Sequence, residues 1–208
     1  MIDNKIPCNN CGNFNFVQQY NKVRDWEFGV EGEYSYYKCS NCGLVRLDPF
    51  PTTEKTKSYY PDDYISHLES SNKKGKLFDF LEKIHFNFFL KNNFKFLKNK
   101  NLPLVLDIGS GNGEFLVKLS KFFDLEMYGI DFSKIACQNM IKKKINAYHG
   151  VFLDYPEKKK FDMISMNNYI EHVIDPISEL KKAYNCLNKG GKLIGITDNF
   201  DSIDRIIF

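Results

Sequence analysis

The sequence predicts a doubly wound α/β domain with a mostly parallel sheet, preceded by a small ribbon held by cysteines. Three observations carry that prediction. Short apolar runs alternate with helical patterns from Val105 to Thr197, the arrangement that builds parallel sheets. The first run passes through three alternating glycines, Gly109, Gly111 and Gly113, into an amphipathic helix. Two Cys-x-x-Cys pairs stand ahead of all of this, Cys8/Cys11 and Cys39/Cys42.

Taken in order, the cysteine pairs come first. Each is followed by glycine (Gly12, Gly43), and the residues between them suit a hairpin. Four thiolates in two such knuckles match tetrahedral zinc with no open position, a structural site over residues 1–48. Two disulfides or four unligated thiols are the alternatives. Residues 49–76 form a linker, with proline at 49, 51 and 61 and with Tyr59, Tyr60 and Tyr64 placed either to close over a site or to pack on the domain. Its last part, Ser66 to Lys76, is polar. Residues 77–208 form the main domain. Leu77 to Lys100 has a helical apolar period through Leu77, Leu81, Ile84, Phe88 and Leu97, read as a helix packing on the domain; a membrane-surface helix is the alternative. Strands follow at Val105–Asp107, Leu125–Asp131, Ile145–His149, Phe161–Met166 and Gly191–Thr197. Helices run from the glycines, from Ser133 to Lys144, and from Asp175-Pro176 to Leu187, with proline in the first turn of the last. Cys137 and Cys186 fall among apolar neighbours and read as core.

The segment Val105 to Phe115 (VLDIGSGNGEF) carries most of the functional information. Glycines at a strand-to-helix turn let backbone approach a nucleoside ligand closely. A dinucleotide fingerprint needs Gly-x-Gly-x-x-Gly, and here Glu114 stands where the last glycine belongs. Asp107, two residues before the first glycine, would repel a pyrophosphate and attract the cationic methionyl end of S-adenosylmethionine. Asp131, about twenty residues beyond the glycines, ends the second strand where a carboxylate can accept ribose hydroxyls; an acid at a helix N-terminus ahead of Ser133 is its plainer reading.

On these residues the chain resembles the class I S-adenosylmethionine-dependent methyltransferases, whose first motif reads hydrophobic, hydrophobic, Asp, hydrophobic, Gly-x-Gly-x-Gly. The resemblance implies a Rossmann-like fold and cofactor contacts from Asp107, Gly109, Ser110, Gly111, Gly113, Asp131, Phe132, Phe152 and Asn167, with Asp154 beside Phe152 near adenine. The segment Leu44 to Tyr64 is similar to the stretch that joins a zinc ribbon to the methyltransferase domain in bacterial enzymes linked to sugar and surface-polysaccharide modification. The family sheet ends with a sixth and seventh strand. The sequence shows no pattern for them after Thr197, so the fifth strand is expected to be an edge open to self-association.

The acceptor is expected to meet the cofactor at Tyr169 to Pro176 (YIEHVIDP). N-methyltransferases acting on bases or amides carry Asn/Asp-Pro-Pro-aromatic here, and this chain has Asn167-Asn168-Tyr169 with neither proline. Tyr169, Glu171 and His172 resemble instead the Tyr-x-Glu-His of sugar methyltransferases that carry a zinc domain. Alignment of acceptor, methyl and sulfur, and removal of one proton, is the chemistry required. His172 suits the base, with Glu171 and Tyr169 assisting; a purely structural start to the next helix is the alternative.

Composition narrows the rest. The 43% apolar content supports a core, and no apolar run reaches the length of a membrane span. A formal charge of +3 is too slight to argue for nucleic acid as a partner. Asp3, Asn4 and Lys5 ahead of Pro7 and Cys8 do not resemble a signal peptide, so a cytoplasmic setting with reduced cysteines is expected. The expected function is methylation of a small-molecule acceptor such as a nucleotide-linked sugar or polysaccharide precursor, by O- or C-transfer. A catalytically weak cofactor-binding scaffold and an rRNA methyltransferase are the alternatives.

Overall fold

The computed structural model describes residues 6–25, 29, 31–52, 55–56, 59 and 76–202. They divide into two compact units, residues 1–61 with Ile174–Ile177, and residues 62–173 with 178–208.

The first unit is a three-stranded antiparallel sheet of β1 (Phe16–Val23), β2 (Tyr34–Cys39) and β3 (Val45–Asp48), in that order. The expected hairpin between the knuckles is β1–β2. Its core is small: Tyr37, Cys8 and Cys39 are buried, and Arg46 of β3 lays its guanidinium on the Phe16 ring, 3.9 Å from the centroid. Arg46 Nη1 also donates to the Ile6 carbonyl at 2.7 Å, so one buried cation ties the chain start to the sheet. Tyr59 packs edge-on against Tyr34, with their hydroxyls 3.1 Å apart. Tyr60, Tyr64 and Ser66 to Gly75 lie outside the described residues.

The second unit is a five-stranded parallel sheet. In chain order its elements are α1 (Lys76–Asn93), β4 (Leu104–Ile108), α2 (Glu114–Ser120), β5 (Glu126–Asp131), α3 (Lys134–Lys142), β6 (Asn146–His149), β7 (Phe161–Asn167), α4 (Pro176–Cys186) and β8 (Leu187–Ile196). The strand order is β6-β5-β4-β7-β8, every neighbour parallel, so chain direction reverses across the sheet between β4 and β7. That reversal is where a doubly wound sheet opens a crevice at its carboxyl ends. Both faces are covered, which explains the nearly continuous burial of β4 and β7. On one face Leu90 of α1, Leu116 and Leu119 of α2, and Cys137 and Met140 of α3 meet Val105 and Met163. On the other, Ala183 and Cys186 of α4 meet Leu106, Ile108 and Ile164.

Two expectations change. The buried stripe of α1 is not the one through Ile84 and Phe88, which are 50% and 69% exposed. The core side runs through Phe86, Phe89 and Leu90 to Phe94 and to Leu97 in the following 3-10 turn. A helix this rich in phenylalanine offers two apolar stripes; the one continuous with Phe94, which meets Phe115 edge-on at 5.9 Å, is the one that covers the sheet. The fifth strand also starts earlier than expected. Leu187 already pairs with Phe161, and Asn188 to Gly191 form an irregularity before Lys192 pairs with Met163. A Cβ on Gly191 would stand 2.9 Å from the Phe161 carbonyl oxygen, so the close approach requires glycine. Beneath the sheet Asp162 accepts from Lys100 Nζ (2.6 Å), Leu104 N (3.0 Å) and Asn188 Nδ2 (2.9 Å), tying three connections to the start of β7.

Candidate cofactor and metal sites

The glycine turn between β4 and α2 is held from several directions. Ser110 N donates to the Ile130 carbonyl, Gly111 N donates to Asp131 Oδ2 at 2.8 Å, and Gly113 N returns to the Ser110 carbonyl. From α3 and the residue after it, Asn139 Nδ2 donates to Asn112 Oδ1 (3.0 Å), while Lys143 Nζ donates to the Asn112 carbonyl (2.9 Å) and to Glu114 (2.5 Å). The glycines divide the work. Gly111 has φ +51° and open space where a Cβ would be, so this is the face from which a ligand can approach the backbone. Gly113 serves packing, because a Cβ there would stand 2.4 Å from Ile145 Cδ1. Gly109 is covered by an aromatic ring, with Tyr169 Cδ2 2.6 Å from a Cβ built on it.

Two carboxylates end the adjoining strands. Asp107 is buried and accepts from Ser165 Oγ (2.7 Å) and Asn167 Nδ2 (3.4 Å). Burial pushes its carboxyl up to about 6; the Ser165, Ser110 and Asn167 dipoles oppose that rise, and the nearby Asp131 charge adds to it. Asp131 accepts from Gly111 N and, at 2.8 Å, from Ser133 N. Burial raises its carboxyl too, against the lowering effect of those two amides. Asp131 therefore braces the glycine turn and the start of α3, while Ser133 caps α3 through Ala136 N. Ser110 Oγ is buried beside Gly129 and its dipole favours the Asp107 charge, yet it has no hydrogen bond of normal geometry among the described residues. Two buried acids, an orphaned hydroxyl and an open glycine face fit a polar ligand with a cationic end.

The remaining expected residues are spread. Asn167 ends β7 beside Asp107. Phe132 is 41% exposed just past Asp131, its carbonyl accepting from His149 Nε2 at 3.0 Å. The side chain of Phe152 is fully buried, in one core cluster with Leu106, Ile108 and Ile164, whereas Leu153 and Asp154 beside it are exposed. Glu171 and His172 lie together in a short 3-10 turn after β7, His172 Nε2 3.9 Å from Glu171 Oε1. The phenol of Tyr169 turns elsewhere, hydrogen-bonding Glu179 of α4 and the Phe152 backbone amide. Burial first, and the Glu179 charge second, drive that phenol far above its ordinary range. The sequence reading missed Glu179, a buried acid with no motif around it, and Gly129, where a Cβ would stand 2.3 Å from Met140 Sδ and 3.0 Å from Ser110 Oγ. A glycine inside an apolar strand was the available signal for close packing.

In the first unit, the sulfurs of Cys8, Cys11, Cys39 and Cys42 all lie within 4.8 Å of one another, with Cys8–Cys42 at 3.5 Å and Cys11–Cys39 at 3.6 Å. Tetrahedral zinc–thiolate bonds place sulfurs about 3.8 Å apart, and the thiols are free rather than paired in disulfides. Backbone amides of Cys42 and Asn41 lower the Cys39 thiol to about 6, and the Leu44 amide lowers Cys42; burial raises Cys8. The four-cysteine group fits a small zinc site.

Comparison with known proteins decides the family. A methyltransferase domain family matches residues 71–205. The chain belongs to it. This methyltransferase domain is 32% identical over 115 residues to the mitochondrial ubiquinone biosynthesis O-methyltransferase of Candida albicans, covering 50% of this chain and 35% of that protein. It is 28% identical over 124 residues to the mRNA cap guanine-N(7) methyltransferase of Schizosaccharomyces pombe, covering 50% and 34%. The chain thus spans about a third of the length of these curated relatives. Among solved structures, the plantazolicin methyltransferase BpumL in complex with a pentazolic desmethylPZN analog and SAH superposes with a TM-score of 0.55 at 24% identity, over 72% of this chain and 59% of that one. That likeness concerns the fold. Among the described residues no helix is long and apolar enough to cross a membrane.

Proposed function

We propose that this methyltransferase domain binds S-adenosylmethionine over Gly111 and transfers its methyl group to a small-molecule acceptor, with a structural zinc ion in the four-cysteine ribbon. The acceptor class is a nucleotide-linked sugar or polysaccharide precursor. The observation that carries the reading is the pair of buried acids near the ends of β4 and β5, Asp107 and Asp131, with Asp131 hydrogen-bonded to the open glycine Gly111. The cofactor's sulfonium makes the methyl electrophilic. What the chain supplies is a negative charge at Asp107 for a cationic group, a carboxylate at Asp131 for hydroxyls, and the hydrogen-bonded brace that holds the turn still. His172 takes the acceptor proton and Glu171, within 4 Å, orients the ring. The likeness to a quinone O-methyltransferase supports a small hydroxylated acceptor.

The test is methyl transfer from labelled S-adenosylmethionine to a panel of nucleotide sugars, quinols and RNA. Labelled sugar is the expected product. Label only in RNA would replace the small-molecule reading, and cofactor binding without any transfer would favour the scaffold alternative. His172→Ala is expected to lower turnover at least a hundredfold while sparing cofactor affinity; unchanged turnover removes His172 as the base.

A further inference from the structure

Strand β7 is buried from Phe161 through Met166, and Ser165 is the polar residue at the carboxyl end of that run. It is fully buried, and a hydroxyl taken out of water is costly unless it finds an acceptor. The acceptor lies across the strand pair. Ser165 stands opposite Asp107 in the parallel register of β4 and β7, and its Oγ donates to Asp107 Oδ1 at 2.7 Å; the Leu106 carbonyl, at 3.4 Å, is the more distant choice. On its other flank Asp107 pairs in register with Gly129 of β5, which brings no side chain. Asn167, two residues along β7, donates to the same Oδ1 at a longer 3.4 Å. A hydroxyl donating to a carboxylate makes a charge-assisted bond, shorter and stronger than one to the neutral acid. Ser165 therefore fixes one oxygen of Asp107 and favours the form of that group that carries charge.

We propose that Ser165 is a positioning residue of the cofactor site: its hydroxyl, donated across the β4–β7 pair, fixes Asp107 and favours its charged form, so that the cradle takes a cationic methionyl group. Ser165 acts through Asp107 rather than on the ligand. The inference rests on the cofactor reading above and deepens it, because it adds a residue of β7 that no motif marks and makes the pH range of binding a property of one hydrogen bond. Facing Asp107 are Asp131 at the end of β5, whose charge opposes a second one, Ser165 and Asn167 on β7, and Ser110 in the glycine turn. Tyr169, whose ring lies on Gly109, has a phenol driven far above its ordinary range and stays neutral. Burial holds the Asp107 carboxyl at about 6 against those donors. Removing one of them leaves burial less opposed and sends the value higher.

The test is calorimetric titration of the full chain with S-adenosylmethionine from about pH 5 to about pH 8, alongside thermal melting of the same ligand-free proteins. In the wild type, affinity should fall below a midpoint of about pH 6. Ser165→Ala is expected to move that midpoint up by about one pH unit, the worth of one hydrogen bond to a charged group. Its affinity is then about fivefold weaker near pH 6 and within about twofold of wild type near pH 8. Ser165→Thr, which keeps the hydroxyl, should leave the midpoint in place. If Ser165→Ala melts too low to titrate, Ser165→Cys, with a weaker donor, carries the same expectation with a smaller shift. Loss by the same factor at every pH, or no loss, would reduce Ser165 to packing and overturn the proposal. A pH dependence that Ser165→Ala still alters in an Asp107→Asn background would belong to Asp131 and overturn it as well. A wild type that binds with no pH dependence overturns this inference alone. Failure of the wild type to bind is a different result, overturning the cofactor reading and this inference together.

Discussion

At the scale of single residues, burial of Asp107 has two consequences of opposite sign. Its folded-state value of about 6 lies above the ordinary carboxylate range, so the folded chain holds this proton more tightly than the unfolded chain does. Its contribution to stability is therefore greatest below about pH 4 and declines as pH rises toward 6, by on the order of 3 kcal/mol. Chemical denaturation between pH 4 and 7 should show that slope, and Asp107→Asn should flatten it. A cationic ligand, in contrast, needs the ionised form. Affinity for S-adenosylmethionine is expected to be about tenfold weaker at pH 5 than at pH 7, with the dependence lost in Asp107→Asn; a flat wild-type profile would separate Asp107 from the cofactor. Asp107 and Asp131 were legible from sequence because each is an acid at a strand end with fixed spacing to glycines. The burial of Glu179 was not, since an acid in the first turn of a helix ordinarily faces water.

At the scale of elements, strands, crossover helices and the ribbon hairpin were readable to within a few residues, because periodicity and turn residues are local signals. The choice of face on α1 was not local. Ile84–Phe88 and Phe86–Phe89/Leu90 both satisfy a helical period, and contact with β4 and α2 decides between them. Phe94→Ala is expected to destabilise the fold by about 3–5 kcal/mol, and Phe88→Ala by no more than about 0.5 kcal/mol, in urea unfolding. Equal costs would place the wrong stripe inside. For the ribbon, mass spectrometry of protein purified under reducing conditions should find one zinc per chain, and Cys39→Ser or a chelator should remove it and loosen β1–β3. Metal-free protein with an unchanged ribbon would leave the cysteines as ordinary thiols.

At the scale of the molecule, alternation of strands and helices gives a sheet whose strands all run parallel, and it brings Asp107 and Asp131 to the same, carboxyl-terminal end of neighbouring strands. The acceptor is less legible, because one fold can host many acceptors, and the relatives named above are a ubiquinone biosynthesis O-methyltransferase and an mRNA cap guanine-N(7) methyltransferase. In the proposed reading the acceptor is set by the side chains around Glu171 and His172, and residue types alone do not give their directions: the ring of Tyr169, from the same sequence motif, lies over Gly109.

The most direct measurement is a calorimetric titration of the full chain with S-adenosylmethionine at neutral pH. One site per chain is expected, with affinity at least tenfold weaker in Asp131→Ala, which loses the hydroxyl acceptor, and in Gly111→Val, which fills the open face. No binding heat, or an affinity that neither substitution alters, would contradict the assignment of the glycine turn as the cofactor cradle.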